Sequence, residues 1–193
     1  QRTLLREKAV RIWTSATLSS QGTFELIRAR LGLPADVASL KLPSPFDFAR
    51  QCRLYVPRGM PGPFAGGRAD AVARAIADLA VAAAGGVLGL FSSQRALLEV
   101  APLLRRSLPF EVLVQGEDGK DQLLAAFAER QPAVLLATLG FWQGVDLPAH
   151  ALRVVALDKI PFPPPDDPLV QARSATAEAP LGVACPATDR RQC

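Results

Sequence analysis

Histidine is almost missing from this chain, with His150 the single example among 193 residues. A zinc finger or a histidine-rich metal centre therefore cannot be assembled from these residues alone. Cys52, Cys185 and Cys193 are odd in number and far apart, which argues against a disulfide framework and makes a reducing, cytoplasmic compartment the default expectation. Aromatic residues are only 6% of the chain, so the core has to be aliphatic. No run of eighteen or more uncharged apolar residues occurs, and Gln1-Arg-Thr-Leu-Leu-Arg-Glu-Lys8 lacks the apolar centre of a secretion signal. Membrane association and export thus find no support in the sequence.

What is present fits an ordinary α/β protein. The hydrophobic fraction is 49% and the charged fraction 21%, a balance that rules out wholesale disorder. A net charge of +4 would help contact with a phosphate backbone, yet it is too small to argue for nucleic acid by itself. The length suffices for one well-buried core, or for one domain plus part of another.

The apolar pattern divides the chain. Ala9 to Trp13 reads as a short strand leading to the polar turn Thr14-Ser-Ala-Thr-Leu-Ser19, and Thr23 to Leu31 as a helix ended by Gly32. From Pro34 to Pro63, Pro43, Pro45, Pro57, Pro61 and Pro63 punctuate a linker and crossover, with one strand expected at Cys52 to Val56. Beyond Gly66 and Gly67 the rhythm becomes regular. Val72, Ile76, Leu79 and Ala83 recur at helical spacing, and Gly85-Gly86 breaks the helix before a strand at Val87 to Phe91. Ser92 or Ser93 caps a helix carrying Leu97, Leu98, Ala101 and Leu104, and Glu111 to Val114 is the next strand. Lys120 to Arg130 supplies a helix through Leu123, Leu124 and Phe127, followed by strands at Ala133 to Ala137 and Leu152 to Leu157. Strands alternating with helices predict a mainly parallel sheet covered on both faces, with ligands gathered outside the carboxyl ends of its strands. Gln143, Gly144 and Asp146 fall there.

Several residues carry two readings. Ser15 and Thr17 suit a Ser/Thr turn or cap, which outweighs a role linking nucleotide state to a neighbouring surface. Ser92 and Ser93 are helix caps first, though their hydroxyls and nearby N–H groups also suit a phosphate of single-stranded nucleic acid. Asp146 fits equally an Asx turn beside Pro148 and a carboxylate that orients water, ribose or a metal-bound group, while Gly144 permits close backbone approach. Gln143 suits a phosphate or a protein neighbour. Phe141 and Trp142 are better placed in a core contact than as a base-stacking surface. Asp158 and Lys159 read as a surface pair, Asp166 and Asp167 as caps for a helix near Pro168, and His150 as a surface-loop residue. Pro161, Pro163, Pro164 and Pro165 stiffen the intervening segment. Neither a Gly-x-x-x-x-Gly-Lys-Ser/Thr phosphate loop nor an Asp-Glu strand-end pair occurs, so these residues do not encode a complete ATPase centre.

Five segments in order, Thr14-Ser-Ala-Thr-Leu18, Gly89-Leu-Phe-Ser-Ser93, Val114-Gln-Gly116, Phe141-Trp-Gln-Gly-Val-Asp-Leu-Pro148 and Asp158-Lys-Ile-Pro-Phe-Pro-Pro-Pro-Asp-Asp-Pro168, closely resemble the DinG/XPD-type DNA helicases of superfamily two, above all the bacterial DinG branch. The resemblance spans roughly residues 9 to 178. It implies a RecA-like three-layer α/β/α lobe two, preceded by part of lobe one, in an ATP-dependent helicase that moves 5′ to 3′ on single-stranded or forked DNA and serves DNA repair. The implied boundaries are 1–33 for the end of lobe one, 34–66 for the linker, 67–178 for an incomplete lobe two and 179–193 for a divergent tail. Thr14, Ser15, Ala16 and Thr17 match the coupling segment, Ser92, Ser93 and Gln143 the DNA-contacting positions, and Gly144 and Asp146 the loop near the nucleotide.

ATP and Mg2+ are the implied cofactors, with a monomer and no membrane partner. The phosphate loop, the magnesium motif and any iron-sulfur cluster would lie upstream of residue 1, and the Gln-x-x-Gly-Arg-x-x-Arg motif downstream. Arg190 and Arg191 lack the pattern of that motif and are not assigned to it. The alternative is a noncatalytic RecA-like module that binds single-stranded nucleic acid or a protein partner. A small-molecule α/β enzyme using Asp146, His150 or Asp158 is a weaker third.

Overall fold

The structure, a computed structural model, describes residues 10–63 and 65–160 together with Pro168 and Gln171. The chain divides into two compact units between Tyr55 and Val56.

In the first unit, Ser20 and Thr23 exchange backbone hydrogen bonds of 2.9 and 3.0 Å and set the turn that enters helix α1 (Glu25–Leu31). Glu25 in its first turn and Arg28 and Arg30 in its last complement the helix dipole, and Gly32 closes it as the sequence predicts. Arg28 ties α1 to the following segment by donating to the Val37 carbonyl and the Ser39 hydroxyl. A single further turn, α2 (Phe48–Gln51), is capped by the Asp47 carboxylate.

Two expected strands are not there. Residues 10–13 and 52–56 are irregular, and no strand among the described residues pairs with either. Apolar alternation describes side chains that fit a pleated surface, but a strand needs a ladder partner, and neither segment has one among the described residues.

The second unit is the parallel α/β layer that the sequence predicts. Helix α3 (Arg68–Ala82) leads to β1 (Val87–Leu90), α4 (Gln94–Ser107), β2 (Glu111–Val114), α5 (Lys120–Glu129), β3 (Ala133–Ala137), a 3-10 turn at Leu139–Phe141 and β4 (Val154–Leu157). The strands lie in the order β2-β3-β1-β4, all parallel. Val87 pairs with Val134 on one side and Val154 on the other, so β1 and β3 are central. Their residues are buried throughout, as strands covered on both faces must be.

Side-chain alternation sorts the core into two layers. Val87, Val112, Val114, Val134 and Leu136 face α3 and α4, where they meet Val72, Ile76, Leu97, Val100 and Leu104. Leu88, Leu90, Leu113, Leu135 and Ala137 face the other way, onto Leu123 and Phe127 of α5 and onto Phe141. Full burial of each Leu, Val or Phe here contributes about 1.5–3 kcal/mol. The expected α/β/α layering is borne out, with α3 and α4 on one face and α5 on the other among the described residues.

Two helical stripes shift from expectation. Leu98 is 56% exposed and Val100 is inside, because the stripe Leu97, Val100, Ala101, Leu104 follows the i, i+3, i+4, i+7 face. In α3 the buried set is Val72, Ala73, Ile76 and Ala80, leaving Leu79 and Ala83 at its margin. The α3 to β1 turn requires glycine at position 86, where φ is +68° and a Cβ would stand 2.7 Å from the Ala151 carbonyl oxygen.

Candidate functional site

Strands β2 and β3 lie to one side of β1, while β4 lies to the other, so the chain changes direction across the sheet at the β1/β4 boundary. In open parallel sheets a crevice forms outside the carboxyl ends at such a place. Here it is a cleft of about 470 Å³, lined by the Gly66-Gly67-Arg68 entry to α3, by Ser93 and Arg95 at the start of α4, and by Asp158 and Lys159 after β4. Two helix N-termini border the cleft, and of its three cations Arg68 and Arg95 are paired with the Asp158 and Glu99 carboxylates that share the lining.

Arg68 organises that cleft. Its guanidinium donates to the Pro61 carbonyl, to the Asp158 carbonyl at 2.7 Å and to the Asp158 carboxylate at 3.0 Å. The other Asp158 oxygen accepts from the Ser92 hydroxyl at 3.4 Å. The Asp158 side chain is 5% exposed and that of Arg68 is 16% exposed. Asp158 is therefore no surface partner of Lys159, and the sequence reading of that pair is corrected. Its partner arrives from a helix 90 positions earlier because parallel order sets the start of α3 beside the end of β4. Ser93 caps α4, accepting from the Ala96 N–H at 3.2 Å. Arg95, fully in solvent, is held above its ordinary range by a hydrogen bond to the Glu99 carboxylate, reinforced by its charge.

A second polar surface follows β3. Thr138 ends the strand, and the 3-10 turn closes with Phe141 donating to the Thr138 carbonyl at 2.9 Å. Phe141 is buried against the α5 face, and Trp142 packs at its edge, which places both in the core contact that sequence favours. Alternation then decides what remains outside. Val145 and Leu147 pack down onto the same layer, whereas Gln143, Gly144 and Asp146 are exposed. Gly144 has φ +65° and nothing within 4 Å of a Cβ position, so its backbone is open to close approach. An uncrowded backbone beside an exposed amide and an exposed carboxylate has room for a hydrated cation, whose water donors the carboxylate can accept from. His150 lies in an exposed turn.

The residues expected to couple nucleotide state form a turn within the first unit. The Ser15 and Thr17 hydroxyls are 3.2 Å apart, and the Ser15 hydroxyl accepts from the Thr17 N–H at 3.2 Å. This is the Ser/Thr turn of the local reading, with Thr14 and Ala16 exposed beside it. Sequence reasoning missed Arg68, which had only its place after two glycines to recommend it, and Gln115 and Lys120, whose contacts are described below. Pro161, Pro163, Pro164, Pro165, Asp166 and Asp167 lie outside the described residues, as do Cys185, Arg190, Arg191 and Cys193. Among the described residues, no group of three or more His, Cys, Asp or Glu is arranged to hold a metal ion, and no helix is long and apolar enough to cross a membrane.

Comparison with known proteins agrees with this geometry. A family model described as the helicase C-terminal domain matches residues 76–188. The chain is 41% identical over 175 residues to a protein of Mycobacterium tuberculosis named ATP-dependent helicase DinG, covering 89% of this chain and 26% of that protein. It is 40% identical over 162 residues to ATP-dependent DNA helicase YoaA of Escherichia coli, covering 84% and 25%. A Bacillus subtilis relative named 3'-5' exonuclease DinG is 31% identical over 175 residues, covering 86% and 19%. The chain spans about a quarter or less of the length of these curated relatives.

Proposed function

This chain belongs to the helicase C-terminal domain family, on its DinG-type branch, and from that premise we propose that the protein carrying it is an ATP-dependent DNA helicase that moves 5′ to 3′. The observation that carries the reading is the match over residues 76–188, which takes in the loop after β3 and the Ser93, Arg95, Asp158 and Lys159 side of the β1/β4 cleft. In this reading residues 1–33 end lobe one, residues 34–66 connect the lobes, and lobe two begins at residue 67. Single-stranded or forked DNA is the track, ATP with Mg2+ the fuel, and the cytoplasm of a bacterium the compartment. Repair of damaged DNA is the corresponding cellular role.

The roles of individual residues follow from what each offers. Thr14, Ser15, Ala16 and Thr17 form the turn assigned to coupling. Gly144 offers an open backbone and Asp146 an exposed carboxylate, suited to orienting a nucleotide-bound water or cation. Gln143 is exposed beside them and suited to the DNA backbone. Ser92 and Ser93 are assigned to the DNA side through the strand-end loop they build, since both hydroxyls already serve internal hydrogen bonds. Bound ATP would supply the free energy through its hydrolysis to ADP and phosphate. What these residues do is hold one strand and orient water at a nucleotide held mainly by parts of the protein outside this segment.

The test uses the full-length source protein with ATP, Mg2+ and duplexes bearing either a 5′ or a 3′ single-stranded tail. DNA-stimulated ATP hydrolysis with separation of the 5′-tailed duplex alone is the expected result. Salt-sensitive DNA binding with no ATP turnover would replace the helicase by a binding module, and unwinding from the 3′ tail alone would reverse the polarity.

A further inference from the structure

Gln115, in the Val114-Gln-Gly116 segment, has no role in the function proposed above, yet it makes one of the tightest side-chain contacts between strand ends. Its Oε1 accepts from both the backbone N–H of Thr138, at 2.6 Å, and the Thr138 hydroxyl, at 2.9 Å. Both donors sit where β3 stops and the loop toward Gln143 begins. A second tie comes from the same side. Lys120, at the start of α5, donates to the Gly140 carbonyl at 2.8 Å, and its ammonium lies 5.1 Å from the centre of the Phe141 ring. Gln115 and Lys120 therefore grip the 3-10 turn at Thr138, Gly140 and Phe141, three of its four positions from 138 to 141.

The gripping segment is itself anchored. The Gln115 N–H donates to the Leu136 carbonyl at 2.9 Å, extending the β2–β3 ladder by one residue. Glu117 accepts from Arg105 at 2.6 Å, and that hydrogen bond holds the Arg105 guanidinium above its ordinary range against the opposing effect of burial. Arg105 also reaches the Val112 carbonyl, so the end of α4 braces both β2 and the turn that follows it. A loop tied on both sides makes a firm base for a neighbour.

Acceptance is the whole of what the Gln115 side-chain oxygen does here, because both Thr138 groups donate. A carboxylate in its place would keep the contact, whereas a side chain of similar length without an oxygen would lose it. That chemical asymmetry separates positioning from packing.

We propose that Gln115 is a positioning residue which, with Lys120, fixes the turn Thr138 to Phe141 and so holds Gln143, Gly144 and Asp146 in place for nucleotide and DNA. The inference rests on the helicase reading for its effect on turnover, but not for its effect on the loop. The test compares Gln115→Met and Gln115→Glu in the full-length protein by hydrogen exchange of peptides covering residues 138–147 and by DNA-stimulated ATP hydrolysis. In Gln115→Met, exchange over 138–147 rises about tenfold while the strands β1 and β3 stay protected, as loss of two local hydrogen bonds requires. Its kcat falls about five- to tenfold with KM for ATP within about twofold, because misplacement acts on orientation more than on binding. Gln115→Glu returns both readouts to within about threefold of the wild type.

Unchanged exchange in Gln115→Met overturns the clamp, as does a rise spread over the whole sheet. Faster exchange with unchanged kcat overturns the positioning role. Should Gln115→Met fail to fold, Lys120→Met, at an exposed position, takes its place. A rise of about twofold in exchange over 139–142 is then expected, and no rise overturns the clamp. A wild-type protein that lacks DNA-stimulated ATP hydrolysis overturns the function proposed above instead, and the exchange comparison still decides the clamp.

Discussion

The two polar regions at the carboxyl edge of the sheet are built on opposite plans. At the β1/β4 end, Arg68, Asp158, Ser92 and Ser93 turn inward and satisfy one another or the backbone. At the β3 end, Gln143, Gly144 and Asp146 face outward while their apolar neighbours hold the loop down. The first plan makes a shaped rim whose side chains are already committed, and the second presents free groups on a braced platform. A substitution at the rim should therefore register as lost stability. One on the platform should register as lost activity with the fold intact.

Substitutions sharpen that contrast in order of expected effect on unfolding. Arg68→Ala removes one partner of a largely buried ion pair and leaves the Asp158 carboxylate uncompensated, so it should lower the unfolding free energy by about 3 kcal/mol in denaturant titration. Replacing both partners together, as Arg68→Met with Asp158→Leu, should cost less than Arg68→Ala alone, since no charge is stranded. Ser93→Ala deletes the α4 cap and should cost about 1 kcal/mol. Asp146→Ala should stay within about 0.5 kcal/mol of the parent in the same titration, while DNA-stimulated ATP turnover of the full-length protein falls about tenfold or more. A large stability loss at Asp146, or a negligible one at Arg68, would break the distinction between rim and platform.

Much of the sheet was legible because buried parallel strands announce themselves. Glu111–Val114 and Ala133–Ala137 are short apolar runs between helical periods, and their limits agree with those read from sequence. Strand β4 begins two residues later than read, because Leu152 packs against the α5-face layer before the ladder starts at Val154. Residues 10–13 and 52–56 show the converse, since strand-like composition cannot supply a pairing partner. Within the site, exposure of Gln143 and Asp146 follows from alternation with Val145 and Leu147, a local signal. The Arg68–Asp158 pair and the Gln115–Thr138 contact are non-local, and only the strand order brings their partners together. Ser92 and Ser93 fell between these cases. Their place at a strand end was readable, but the choice of Ser93 as cap and Ser92 as the Asp158 donor required the fold.

The open space around Gly144 shapes which sequences this loop can sample as it diversifies. Since nothing stands within 4 Å of a Cβ there, bulk is no barrier, and the left-handed backbone alone sets the filter. A saturation library at this position should rank substitutes by tolerance of positive φ, with asparagine and aspartate ahead of alanine and the β-branched residues last. Neighbouring lineages can thus acquire an extra polar arm at position 144 by a single codon change, at a point where the first side-chain carbon meets no neighbour.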